Sequence, residues 1–374
     1  MPSRSAATDA MSLRALNRAT LARQMLLARE KVKPLAAIER VAGLQAQWPS
    51  PPFVGLLARV DGFARLDLAR LLTKRDAVRA TMMRGTIHVV SARDYMELRP
   101  AITPVLERGM RSILRGRGAE LDVDAIVRDA AAFLANGPAT FTAIRDHLAS
   151  LHPREDERAM GFAVRMRVPL VMAPTAARWA FPADAEFTMA EAWLGRALKA
   201  SSGPRALILR YLAAFGPATT SDMQTWSGLQ GLAKVVEELR PELYVTRGPR
   251  GREMFDLRGA PRPDEDAPAP VRMLPAFDNL LLGHADRTRV VSEAHRKWVF
   301  PSGLRVEPTF LVDGFVAGTW RIERKKSLAH MTLSPFAALS KAAQRDLAAE
   351  ASALVRFLEE DASKFDVAFA KPKG

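Results

Sequence analysis

The chain has 374 residues, 48% of them hydrophobic, which is enough for a folded core and for two or three domains. Its 55 lysine and arginine residues exceed the 41 acidic residues by 14. This balance favours a polyanionic partner over an acidic protein, although an arginine-rich composition alone would also produce it. The absence of cysteine excludes disulfides, thiolate metal sites and cysteine nucleophiles.

The first predicted unit spans residues 16–100 and follows an arm at residues 1–15 that we expect to be flexible. Hydrophobic periodicity predicts its helices at residues 16–28, 34–44 and 54–57, the last resuming at 66–72. Residues Thr81 to Val90 then alternate and turn at Gly85, a pattern typical of two paired strands. Three helices closed by a hairpin predict a winged helix.

A five-residue segment that ends in Gly-Pro-Ala-Thr occurs twice, as Asn136-Gly137-Pro138-Ala139-Thr140 and as Phe215-Gly216-Pro217-Ala218-Thr219. In each copy we expect a helix to end at the glycine, which tolerates the left-handed cap conformation. Proline then prevents the helix from continuing, and threonine caps the next one. The repeat indicates a duplicated winged-helix unit, although two ordinary helical hairpins would show the same pattern.

These two units are predicted within residues 101–200, after an arginine-rich connector helix, and within residues 201–260, with their boundary at Ser201-Ser202-Gly203-Pro204. The predicted helices span residues 123–134, 158–167, 206–215 and 229–240. The predicted wing strands span residues 170–172, 179–181, 243–245 and 253–257.

Residues 261–374 are predicted to form a linker and a β-rich domain. After the linker Pro261 to Pro270, strands are predicted at residues 309–312, 315–322, 329–333 and near 367, with a helix at 339–358. Asp313-Gly314 is a hairpin signal between the first two strands. The predicted fold is therefore α+β but mainly α, with three tandem winged-helix motifs and a small β-rich C-terminal domain.

Common catalytic signatures are absent from the sequence. It contains no phosphate-binding loop, no Gly-x-Gly-x-x-Gly, no Gly-x-Ser-x-Gly and no His-Glu-x-x-His. The six histidines are scattered, and His147 and His152 are wrongly spaced for one helical face. We therefore expect neither a metal site nor a cofactor.

One polar segment, Gly43-Leu44-Gln45-Ala46-Gln47-Trp48-Pro49, stands at the end of the second predicted helix. Side chains two apart diverge on a regular helix, but the prolines that follow force this helix to end, and there the two amides can converge. An amide carries both a donor and an acceptor, so a pair can orient a water molecule. Periodicity alone favours the simpler interpretation of solvent-facing or capping amides.

Three segments together resemble the winged-helix DNA glycosylase family, whose best-known members unhook interstrand crosslinks made by azinomycin. They are Leu44-Gln45-Ala46-Gln47, the strand from Arg84 to Val90, and the segment from Met273 to Arg287. The resemblance covers nearly the whole chain from about Leu16. The family carries a Gln-aliphatic-Gln motif in its catalytic cleft, and this chain has Ala46 as the aliphatic residue.

The resemblance implies that Gln45 and Gln47 are catalytic and position the water that attacks C1′ of an alkylated nucleotide. A cationic N7-alkylpurine leaves readily, so two neutral amides suffice where other glycosylases use an aspartate. The resemblance also implies monofunctional hydrolysis of bulky or crosslinked N7-alkylpurines, because no lysine nucleophile is involved. A tight base-flipping pocket suits such lesions poorly, so we expect an open cleft around the duplex.

Polar and basic residues near these segments are candidates for DNA contact. They are Arg84, Thr86 and His88 on the predicted strand, Arg111 and Arg115 on the connector helix, Arg247, Arg250 and Arg252 on the third wing, and Arg287 in the C-terminal segment. Each has a structural alternative. The first three would then line the polar face of an ordinary wing, the third wing would be a solvated loop, and Arg287 would pair with Asp278 or Asp286.

The expected partner is damaged double-stranded DNA, bound by a monomer. The polar first nine residues match neither a signal peptide nor an anchor, and no apolar run reaches membrane-span length. We therefore expect a cytoplasmic protein that associates with the nucleoid when bound to DNA. The alternative is a noncatalytic winged-helix regulator, although such proteins usually present one recognition helix per subunit. An RNA-binding scaffold would need more exposed aromatic residues.

Overall fold

The chain folds into three winged-helix units and a C-terminal sheet. A computed structural model describes residues 10–201, 203–301 and 304–374. Residues 1–9 of the predicted arm and Ser202 at the predicted boundary lie outside these ranges. The predicted fold class, mainly helical α+β with a small C-terminal sheet, is confirmed.

The N-terminal part of the chain contains helix α1, unit 1 and a helical connector. Their elements are α1 (Leu13–Arg23), α2 (Pro34–Arg40), β1 (Leu44–Gln45), α3 (Pro51–Leu57), α4 (Arg65–Thr73), β2 (Ala77–Thr81), β3 (Ile87–Ser91), α5 (Ala92–Leu98) and α6 (Thr103–Arg117). Unit 1 consists of α2, α3 and α4 closed by the β2–β3 hairpin.

Units 2 and 3 repeat the same order of helices and strands. Unit 2 contains α7 (Val123–Leu134), β4 (Ala139–Thr140), α8 (Phe141–Leu151), α9 (Glu157–Arg167), β5 (Leu170–Met172) and β6 (Glu186–Met189), and is followed by α10 (Ala190–Leu194). Unit 3 contains α11 (Arg205–Phe215), α12 (Thr220–Ser227), α13 (Ala233–Leu239), β7 (Leu243–Arg247) and β8 (Glu253–Leu257).

The C-terminal part is built on a five-stranded sheet of order β13-β12-β11-β10-β9, in which only the β12–β13 pair is parallel. Its elements are β9 (Arg272–Leu274), α14 (Asn279–Leu282), α15 (Arg296–Val299), β10 (Thr309–Val312), β11 (Phe315–Lys325), β12 (Leu328–Pro335), α16 (Lys341–Leu358) and β13 (Lys364–Phe369). Asp313 and Gly314 both adopt positive φ in the predicted hairpin turn. Strand β9 was not predicted.

The repeated segment works partly as predicted. Thr140 and Thr219 cap α8 and α12, their hydroxyls accepting from the backbone N–H groups of Ala143 and Asp222 at 3.1 Å. Gly216, however, has a φ of −61°, so it is not a left-handed cap. It is required for space instead, because a Cβ there would lie 2.5 Å from Asp256 Oδ1 and 2.6 Å from Arg23 Nη1.

Two predicted assignments are wrong. The segment at residues 179–181 is a loop, and the second strand of unit 2 is β6. Prolines at 174 and 182 flank that loop, and neither residue can donate to a strand ladder. Helix α1 packs on α11 and on the C-terminal part, and so lies outside the three-helix set of unit 1. Its Arg23 forms a buried bidentate ion pair with Asp256, with N–O distances of 2.6 and 2.8 Å.

The three winged-helix units pack against one another. Units 1 and 2 share one six-stranded sheet of order β1-β3-β2-β5-β6-β4, and a continuous hydrophobic core includes residues of all three units. Strand β1 therefore lies at an edge of this sheet. No helix in the described ranges is long and apolar enough to cross a bilayer.

Candidate active site

The Gln45-Ala46-Gln47 segment lies on the edge strand of the shared sheet. Helix α2 ends at Arg40, and the chain turns through Ala42 and Gly43, whose φ angles are 58° and 88°. A side chain at Gly43 would place its Cβ 2.7 Å from Val90 Cγ1, so this turn requires glycine. The prediction that the second helix continues to residue 44 is therefore wrong.

The glutamine segment occupies the place in unit 1 that Gly-Pro-Ala-Thr occupies in units 2 and 3. In all three units a short extended segment follows the first helix and pairs with the last strand of the hairpin. The Cα partners are Gln45 with His88, Ala139 with Phe187 and Ala218 with Phe255. The glutamines are thus held at an equivalent point of the winged-helix frame.

Both amides are held beside β3. Strand β1 ends at Gln45 and the chain bends at Gln47, but the Ala46 N–H still donates to the Ile87 carbonyl at 2.7 Å. Gln45 is buried, with 6% of its surface exposed, whereas Gln47 is exposed. The pair therefore combines a fixed inner amide with an accessible outer one.

Hydrogen bonds fix how each amide is oriented. Gln45 Oε1 accepts from Arg84 Nη2 at 2.8 Å, and Gln47 Oε1 accepts from the Ile87 N–H at 2.8 Å. Both partners are donors only, so an amide oxygen and not an NH₂ group must face each of them. The oxygens keep one lone pair each. Neither Nε2 atom has a protein partner within the described residues, so both NH₂ groups are available to a substrate or water.

Arg84 connects the Gln45 amide to unit 3. It lies in a single 3₁₀ turn, Met83–Gly85, with a φ of 58°, so the expected alternation of residues 84, 86 and 88 on one strand does not hold. Its second donor, Nη1, bonds the Trp226 carbonyl at 2.5 Å. Burial, and then the positive charge of Arg287, lower the pKa of Arg84 to about 10. The guanidinium stays charged at neutral pH.

Thr86 and His88 are turned toward the protein. The Thr86 hydroxyl donates to the Met83 carbonyl at 3.0 Å, and His88 Nδ1 lies 3.0 Å from the Thr86 carbonyl. His88 is fully buried, and this burial, with the Arg84 charge, lowers its pKa to about 3. Because it is buried, His88 cannot contact DNA directly in this structure, although the sequence predicts such a contact. The neutral ring instead supports the sheet opposite Gln45.

Two residues that sequence reasoning missed hold the backbone of the motif. Arg79 on β2 donates from Nε and Nη2 to the Ala46 carbonyl at 3.1 and 2.9 Å. Asn279 Nδ2 donates to the Gly43 carbonyl at 2.8 Å. A charged residue inside the apolar strand Ala77–Thr81 was the available signal for Arg79. No local pattern connects Asn279 to a segment so distant in sequence.

The other basic candidates fall into two groups. Arg111 and Arg115 on α6 and Arg247, Arg250 and Arg252 on the third wing are exposed. Asp286 accepts from Arg250 at 3.1 Å and lies 3.7 Å from Arg252. Arg287 does not pair with Asp286, and its guanidinium lies 4.3 Å from the centre of the Phe300 ring. Asp278 forms a buried ion pair with Arg59, with an N–O distance of 2.7 Å.

The described residues contain no group of three or more histidine, aspartate or glutamate side chains arranged to hold a metal ion.

The fold and this site define a protein with three linked winged helices and an amide pair beside a partly buried arginine. The family model described as DNA glycosylase AlkZ-like matches residues 38–357, a range that includes both glutamines and Arg84. The chain belongs to this family. The predicted class, DNA glycosylases that hydrolyse N-glycosidic bonds, is thereby confirmed as the class of its family.

Two further comparisons, one of sequence and one of structure, extend this result. The interstrand DNA cross-link repair glycosylase of Streptomyces sahachiroi is 30% identical over an alignment of 129 residues that covers 31% of this chain and 33% of that protein. The alignment thus spans about a third of the curated relative's length. The solved structure of Streptomyces sahachiroi DNA glycosylase AlkZ covers 96% of this chain, and the match covers 100% of that chain. Its TM-score of 0.78 at 21% identity shows the same fold.

Proposed function

We propose that this chain is a monofunctional DNA glycosylase that hydrolyses the N-glycosidic bond of bulky or crosslinked N7-alkylpurines in duplex DNA. The observation that carries the proposal is the pair of oriented amides, Gln45 and Gln47, held beside β3 with both NH₂ groups available. DNA is the substrate class that the family implies, and the lesion is our inference from the mildness of the groups present.

The two amides have different roles in this proposal. Gln45 Oε1 is engaged by the charged Arg84, which withdraws electron density and makes it the poorer acceptor. Gln47 Oε1 is engaged only by a neutral backbone N–H and is exposed. We therefore assign Gln47 to accept a hydrogen bond from the attacking water. Gln45 donates from Nε2 to the oxygen of that water.

The reaction needs little more than this positioning. The water oxygen forms a bond to C1′ while the bond between C1′ and N9 of the purine breaks. The electron pair of that bond neutralises the cationic ring, and the proton of the water passes to solvent. Because the leaving group is already activated by its charge, no strong general acid is required. Unalkylated purines lack this activation, so we expect them to remain uncleaved.

The test is base release from a duplex that carries one bulky N7-alkylguanine, scored as strand cleavage after mild base. We expect Gln45→Ala and Gln47→Ala each to lower the single-turnover rate constant by about 100-fold or more, with DNA affinity retained. Gln344→Ala, at an exposed glutamine of α16, is the matched control and should be unchanged. Cleavage before base treatment would contradict the monofunctional mechanism.

Substrate choice is tested with the same variants. A duplex with an interstrand crosslink, a monoadduct and an unmodified duplex are compared at saturating enzyme. If none of the modified duplexes releases a base while all bind tightly, the noncatalytic regulator becomes the better interpretation. Release from small N7-methylguanine alone would contradict the preference for bulky lesions.

A further inference from the structure

Arg84 and the segment that carries Arg287 both contact α12. Arg84 donates to the Trp226 carbonyl at 2.5 Å near the end of that helix, and Asp222, near its start, accepts from the Ala285 N–H at 2.9 Å. Arg287 follows Ala285 by two residues, and its charge contributes to the lowered pKa of Arg84, so the two guanidiniums lie near each other.

Neither guanidinium is neutralised. Within the described ranges no carboxylate lies within ion-pair distance of Arg84 or Arg287, whereas the neighbouring Arg250 and Arg252 both face Asp286. Arg287 Nε is buried without a hydrogen-bond partner, although its guanidinium lies over the Phe300 ring. A buried donor without a partner is costly, and an anion would supply the missing acceptor.

The surroundings add further positive charge. Arg296 lies over the same Phe300 ring at 6.0 Å, and its only ion-pair contact in the described ranges is with Glu293 at 3.8 Å. Burial, and then the Arg296 charge, lower the pKa of Arg287, as expected for a cluster that lacks its counterion. A phosphodiester has the geometry that guanidinium groups bind in bidentate fashion.

We propose that Arg84 and Arg287 bind one phosphodiester of the lesion-bearing strand and that Arg84 thereby orients Gln45. This inference rests on the proposed function. Positive charge develops on the sugar as the glycosidic bond breaks, and two bare guanidiniums nearby oppose it. A bound phosphate removes this opposition. The Gln45 site then becomes electrostatically suited to catalysis only when the DNA backbone is correctly seated, and Arg84 acts as a positioning residue.

The experiment replaces single phosphates around the lesion by neutral methylphosphonates and measures both Kd and the single-turnover rate constant. For the wild type, one position should weaken binding or slow excision by about 10- to 100-fold, the effect of one charge-assisted contact. In Arg287→Gln the same replacement should have less than about a twofold effect, since the contact is already lost. Equal effects of every replacement in both proteins would overturn the proposal.

Variants of Arg84 separate positioning from folding. Arg84→Lys keeps the charge but cannot hold Gln45 and the Trp226 carbonyl in one planar fork. We expect it to lower kcat by about tenfold or more with little change in KM and in Tm. Arg345→Lys, the same substitution at an exposed site on α16, should leave all three unchanged. A loss confined to Tm, with kcat intact, would show that Arg84 is merely structural.

The two proposals fail separately. Because the coupling between Arg287 and the phosphate is also measured in Kd, it is tested even in a protein that releases no base. Intact coupling without excision would refute the glycosylase mechanism alone. Excision that depends on both glutamines but shows no coupling at any phosphate would refute the phosphate site alone.

Discussion

Replacing Arg79 by methionine separates the geometry of the motif from the stability of the fold. The guanidinium is buried, donates twice to the Ala46 carbonyl and lies 5.0 Å from the centre of the Phe181 ring. Hydrogen bonds to charged groups contribute about 1.5–3 kcal/mol each, and two donors sharing one oxygen fall at the low end, about 3 kcal/mol together.

Desolvation acts in the opposite direction. Burial lowers the pKa of Arg79 to about 10 from an ordinary value of 12.5, which corresponds to about 3 kcal/mol against the charged form. Methionine does not carry this penalty, so the two terms nearly cancel. We expect the free energy of unfolding of Arg79→Met to change by less than about 2 kcal/mol.

Activity should respond very differently, because the Ala46 carbonyl lies between the two glutamines. A displacement of a catalytic group by about 1 Å costs about 100-fold in rate. Single-turnover base release by Arg79→Met should therefore fall by about that factor, while urea denaturation shows a nearly unchanged midpoint. A loss of stability above about 4 kcal/mol, or full activity in a stable variant, would refute this reasoning.

Three further predictions concern charge. Asp256→Asn should lower the free energy of unfolding by about 3–5 kcal/mol in urea, because it leaves the buried Arg23 without its counterion; a change below about 1 kcal/mol would contradict this. The pKa of His88 is about 3 when folded against an ordinary 6.5, so only the unfolded chain binds this proton between those values and stability falls as pH falls through that window. His88→Asn should reduce the slope of stability between pH 6 and 4 by about 1.4 kcal/mol per pH unit, and an unchanged slope would show that His88 is already charged when folded. Arg250→Ala should weaken DNA binding and reduce the salt dependence by less than one phosphate contact, because Asp286 already shares its charge; an unchanged salt slope would place this wing away from phosphates.

Local signals predicted much of the frame. The threonines at 140 and 219 cap helices as expected, since capping depends on a few neighbouring residues. The Asp313-Gly314 turn is likewise set by its own backbone preferences. Each of these features needs no information from distant parts of the chain, which is why the repeated units could be found in the sequence.

The predictions that were wrong concern features that depend on contacts between distant segments. The sequence pattern places helix α1 in unit 1, but its buried Arg23 pairs with Asp256 of unit 3. The residues near Arg23 do not indicate that partner. Ala42 adopts a left-handed conformation that alanine rarely adopts. The end of α2 and the start of β1 could therefore not be predicted from a helical pattern that continues through this residue.

The site shows the same division. Gln45 and Gln47 were identified through a family resemblance, whereas their position beside β3 depends on contacts between distant segments. The sequence predicts DNA contact for Arg84, whereas its hydrogen bonds to Gln45 and the Trp226 carbonyl depend on tertiary packing and could not be predicted. Sequence reasoning found the residue types, and the fold determined what each of them contacts.

The central claim is tested most directly by mass-spectrometric detection of the free base released from a duplex with one bulky N7-alkylguanine. We predict stoichiometric release of the alkylated guanine by the wild type in a single turnover. The Gln45→Ala/Gln47→Ala double variant should bind the duplex with similar Kd but release base no faster than the uncatalysed reaction. Release by that variant at the wild-type rate would contradict the role assigned to the two amides.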